Sequence, residues 1–137
     1  MIAAAALIGA APAGSGVRVT VTDLRSARGQ VLACLSPGPR GFPDCSRDPA
    51  AHKLVVPAGH APGETVELNF GPVAPGTYAV SVVHDENANN RMDKALMMPR
   101  EGYGFSRDAP VRFGPPAFRQ AAFVVAGQPV HQTVKMR

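Results

Sequence analysis

Apolar and polar residues alternate in several short runs along this chain. Residues 17–24 (VRVTVTDL) do so with β-branched side chains, the pattern of a half-buried strand. Residues 30–35 (QVLACL) form a second expected strand, and the polar Ser26-Ala27-Arg28-Gly29 connection predicts a hairpin between the two. A short strand is expected over 53–56. In residues 64–70 (ETVELNF), Val66, Leu68 and Phe70 share one face. Residues 77–83 (TYAVSVV) are apolar on both faces, which predicts a central strand covered on two sides. That strand runs directly into His84-Asp85. Residues 119–125 and 129–136 complete the set, joined by a turn at Gly127.

Between the strands, prolines and glycines punctuate the chain. Residues 36–51 (SPGPRGFPDCSRDPAA) carry too many of both for a long regular element, with Phe42 as the expected anchor into the core. A short helical turn is expected at 94–98, stopped by Pro99. Residues 100–110 read as a loop with Tyr103 and Phe105 as its anchors, and 111–118 (VRFGPPAF) as an irregular edge broken by Pro115 and Pro116. About seven short strands with frequent turn signals predict an all-β fold, an antiparallel β-sandwich of immunoglobulin-like plan.

Composition narrows the function classes. A chain of 137 residues is long enough for one proper core, expected to span residues 14–137. The net charge of +4 raises nucleic acid as a partner, but the basic residues are scattered and only 6% of residues are aromatic, with no Trp. Nucleic-acid binding is therefore not expected. The first 13 residues (MIAAAALIGAAPA) are apolar and uncharged, yet too short for a membrane-spanning helix, which needs about 20 apolar residues. Ala11-Pro12-Ala13 has the small-x-small form that precedes a signal-peptidase cut, which predicts a signal peptide, export to the periplasm or beyond, and no stable membrane insertion. The competing reading is a buried helix containing a Gly and a Pro. The two cysteines, Cys34 and Cys45, flank a Pro/Gly-rich loop and predict a disulfide in an oxidising compartment, against the alternative of two free thiols.

Residues 84–93 (HDENANNRMD) concentrate the chemistry. Asp85, Asn87, Asn89 and Asp93 fall at relative positions 1, 3, 5 and 9, with the carbonyl of Arg91 at position 7, the ligand rhythm of a calcium loop. Calcium takes six to eight hard oxygen ligands, so such spacing serves it. Position 12 is Leu96 rather than the usual Glu, so a further acid is needed, and Glu86 and Glu101 are the nearest. The alternative is an Asx-rich turn bonded to its own backbone. Catalysis is not expected: the chain has no nucleophile elbow, HExxH or CxxC motif, and alternation puts Ser81 and His84 on opposite strand faces.

The order of motifs resembles a known family. Pro75-Gly76-Thr77-Tyr78 precedes a strand, followed by His84-Asp85-Glu86-Asn87 running to Asp93. Then come residues 99–106 (PREGYGFS) and Phe113-Gly114-Pro115-Pro116. This series is similar to the bacterial exported domain-of-unknown-function family 2141, over nearly everything after about residue 17. The family's usual Gly is replaced here by Asn90. The resemblance implies a prealbumin-like or carboxypeptidase-regulatory-like β-sandwich and export. Two functions stay open. One is a non-catalytic module with calcium in the 85–93 loop and a protein or glycan partner in the cell envelope. The other is a small-ligand carrier or enzyme accessory using a cleft between residues 84–93 and 99–106.

Overall fold

Strand β1 (Ser15–Thr22) buries Val17, Val19 and Val21 completely and turns Arg18, Thr20 and Thr22 toward solvent. A strand patterned this way belongs in a sheet with one wet face. Strand β2 (Gln30–Ser36) is buried from Val31 through Ser36, so it needs cover on both faces. The two strands accordingly enter different sheets, and the expected hairpin between them does not form. The 23–29 connection instead crosses from one sheet to the other, with Leu24 buried beneath it.

The computed structural model describes residues 15–61, 63–88 and 102–137. The remaining strands are β3 (His52–Pro57), β4 (Val66–Val73), β5 (Gly76–Asp85), β6 (Tyr103–Phe105), β7 (Phe123–Val125) and β8 (Val130–Lys135). One sheet has the order β4-β1-β8 and the other β3-β2-β5-β6, with β7 also pairing β5. The fold is a β-sandwich. Valines of β1, Val66 and Leu68 of β4, and Val134 of β8 meet Val31, Ala33, Leu35, Tyr78, Val80 and Val82 between the sheets. All strand pairs are antiparallel except β1 with β8, which runs parallel in the register Val19↔Gln132.

As its two apolar faces require, β5 is central: β2 lies along one edge, and β6 and β7 share the other. Its outer face is covered by loops. Cys34 and Cys45 form a disulfide with Cα atoms 5.8 Å apart, and with Leu32 and Val83 they make a small apolar cluster. Phe42 packs against Phe105 and Phe118 at ring-centroid distances of 5.8 and 5.9 Å, over Ala79 and Ala121. Two expectations change here. Residues 103–105 are a strand rather than loop, and 119–125 divide into one helical turn, α1 (Phe118–Ala121), and β7. Gln120, the third residue of that turn, accepts the Ala117 N–H at 2.8 Å, which favours helix over extension.

Beyond β8, the chain ties the two sheets together. Met136 donates its N–H to Thr22, whereas Arg137 exchanges both backbone hydrogen bonds with Tyr103. Gly104 permits this approach: a methyl there would lie 2.6 Å from Val134 Cγ1 and 2.7 Å from the Lys135 carbonyl oxygen.

Candidate functional site

The end of β5 delivers three successive polar side chains, His84, Asp85 and Glu86, to one margin of the sandwich. Alternation sends His84 toward the space between the sheets and Asp85 to the opposite face. Both are buried. His84 Nε2 donates to the Arg28 carbonyl at 2.8 Å, and its backbone N–H donates to Gly102. Asp85 pairs in register with Gln30, whose side-chain amide donates to Asp85 Oδ2 at 3.1 Å. The Asp85 carbonyl then accepts the Ala88 N–H at 3.2 Å, so the chain reverses immediately beyond the strand.

Glu86 is bound to the 25–29 turn. Arg25 donates through Nε and Nη2 to Oε1 at 3.0 and 2.6 Å, and Ser26 donates to Oε2 at 2.5 Å. Arg28 stands 3.4 Å from the same oxygen. Burial by itself pushes this carboxyl up. The hydrogen bonds from Ser26 and Arg25, with the charges of Arg25 and His84, outweigh it and hold the carboxyl at about 2, against an ordinary 4.5. Gly29 lets the turn approach so closely: its φ is +71°, and a methyl there would lie 2.2 Å from the Asp85 carbonyl oxygen.

Of the six residues expected to hold calcium, Asp85 and Asn87 are described; Asn89, Arg91, Asp93 and Glu101 lie outside the described residues. Asp85 is buried at the root of the loop and Asn87 is exposed in the turn. Glu86, one of the two acids expected to complete the set, is instead spent on Arg25 and Ser26. Among the described residues, no group of three or more His, Cys, Asp or Glu side chains is placed to hold a metal ion. The turn partners Arg25, Ser26 and Arg28 were missed by sequence reasoning because they sit 58–61 positions from Glu86 and belong to no motif.

Serines near the site are turned to structural use. Ser81 donates to the Pro43 carbonyl on the face away from His84. Ser106 accepts the Val80 N–H at 2.9 Å and donates to the Ala121 carbonyl at 2.6 Å. A second polar cluster crosses the open face of the β4-β1-β8 sheet. Thr20 Oγ1 lies 2.9 and 3.0 Å from the two Glu67 oxygens and 2.7 Å from His131 Nε2. In a nucleophilic relay the imidazole stands between hydroxyl and carboxylate. Here the hydroxyl stands in the middle, and the contacts link β4, β1 and β8.

A family model for uncharacterized proteins conserved in bacteria, DUF2141, matches residues 19–133. The chain belongs to the DUF2141 family. No curated protein and no solved structure matches it. The family match starts at Val19 in β1 and ends at Thr133 in β8, so it encloses both cysteines, the 25–29 turn and the His84-Asp85-Glu86 strand end of this DUF2141 protein. The likeness drawn from the ordered motifs is thereby confirmed at the level of the family, and the two-sheet fold agrees with the sandwich it implied. Among the described residues, no helix is long and apolar enough to cross a membrane.

Proposed function

We propose that this DUF2141 protein is a non-catalytic, exported binding module in which a calcium ion orders the loop from Asp85 to Asp93 for a protein or glycan partner in the cell envelope. The observation that carries the reading is Asp85. A carboxylate at the first ligand position is buried at the end of the central strand and held by Gln30, which gives the loop a rigid root. Export is supported by the Cys34–Cys45 disulfide, a bond that persists in oxidising compartments. The non-catalytic reading is supported by Ser81, Ser106 and His84, each engaged by backbone groups. A carrier cleft between residues 84–93 and 99–106 is less well supported, because His84 and Gly102 are hydrogen-bonded backbone to backbone at 2.9 Å.

The test is thermal unfolding of the disulfide-intact chain in EDTA and in millimolar calcium. Calcium at about a hundred times its dissociation constant adds roughly 2.7 kcal/mol, several degrees in Tm. Asp93→Ala should abolish that shift while leaving the Tm in EDTA nearly unchanged. A wild-type Tm indifferent to calcium, or a shift that survives in Asp93→Ala, sinks the calcium reading.

A further inference from the structure

The exposed tip of the 110–117 segment is absorbed neither by the strand-end site nor by the core. Its two roots are packed: Val111 and Phe118 lie against the cluster of Ala79, Phe105, Ala109 and Ala121, and Pro116 is buried. Between them Arg112 and Pro115 are exposed, and Phe113 is wholly exposed, the only large aromatic so placed among the described residues. Prolines 115 and 116 fix their own φ and break regular pairing on the C-terminal side of the tip. An isolated exposed apolar side chain is ordinary. The surroundings of this one are not.

From Ala109 to Arg137 the chain contains no Asp or Glu, while it carries Arg112, Arg119, Lys135 and Arg137. Asp108, the nearest preceding acid, is held by both of its oxygens at 2.6 Å from Arg137. Arg112 adjoins the protruding ring in the chain and Arg119 lies on the following turn, and both are exposed. A complementary surface is anionic and has an apolar layer just beneath the charge. A protein partner would need a preformed pocket for the ring, whereas a lipid bilayer accepts any protruding ring.

We propose that Arg112-Phe113 is a membrane-docking tip for anionic phospholipid, the ring entering the interfacial zone while Arg112 and Arg119 meet headgroup phosphates. One ring and a few arginines give reversible attachment, not insertion. The proposal is independent of calcium and of the 85–93 loop.

Because the chain has no Trp, Phe113→Trp makes a single local probe. The full chain carrying it is mixed with vesicles of phosphatidylcholine alone and of phosphatidylcholine with phosphatidylglycerol. The expected result is a blue-shifted emission with the anionic vesicles only, weakened by salt. Attachment through residues 1–13 would leave the emission at position 113 unshifted, so it is distinguished. In co-sedimentation, Phe113→Ser should lower partitioning roughly tenfold to a hundredfold and Arg112→Gln about fivefold, with Tm unchanged in both. Three outcomes overturn the proposal: equal shifts with both vesicle types, no shift with either, or Phe113→Ser partitioning like the wild type. The second would leave the tip to a protein partner.

Discussion

Glu86 fastens the 25–29 turn to the end of β5, and its charge makes that fastening pH-dependent. Its folded-state pKa is depressed to about 2 from 4.5. The stabilisation is therefore fully present above pH 4.5 and is lost as pH falls from there toward 2. Because Arg25 is half exposed, its share is screened, and Glu86→Gln should cost about 1–2 kcal/mol at neutral pH, below the full linkage value. Urea midpoints measured down the acid limb should show the wild type losing its advantage over the variant in that interval and meeting it near pH 2. A constant gap at all pH values would mean that packing rather than charge is lost. At this scale the sequence was legible in part. Asp85 and His84 were picked out by their place after a doubly apolar strand. The role of Glu86 was hidden, because an acid inside an acid-rich motif reads as a ligand until its distant arginines are seen.

Among the elements, the 37–51 loop carries the most weight relative to its lack of regular structure. It covers the outer face of β2 and β5 through Phe42 and Cys45, and the disulfide closes it. Closing so short a loop restricts the unfolded chain by roughly 2.5–3 kcal/mol. The Cys34→Ala/Cys45→Ala variant should melt lower by about that stability, and reductant should bring the wild type down to the variant without moving the variant. Spacing of the two cysteines around a Pro/Gly-rich stretch was enough to predict this bond. The β1–β2 hairpin was mispredicted for a physical reason: a turn of polar residues fits a hairpin and a sheet-to-sheet crossing equally well. Only the mismatch between a one-faced β1 and a two-faced β2 separates them. In 119–125 the Ala117 N–H, donated to the Gln120 side-chain oxygen, favours a helical turn over half of an apparent strand.

At the scale of the molecule, regularly spaced short strands and turns made the sandwich readable, since each strand announces its buried face locally. Partner choice is not local. Nothing in residues 130–135 says that they run parallel to β1, or that Met136 and Arg137 go on to join the opposite sheet. Met136 is buried in the main core at that junction. Met136→Ala should cost about 2–4 kcal/mol, read as a lower urea midpoint with an unchanged m-value.

The pairing of β1 with β8 also has a consequence in time. Of the eight strands among the described residues, the one synthesised first waits for the one synthesised last, and closing so long a stretch of chain is slow. A nascent chain that has reached β7 can form β2, β3 and β5 and lay β4 beside β1. The other edge of β1 stays bare. The β4-β1-β8 sheet therefore cannot be completed until β8 is available, however early the other strands have paired.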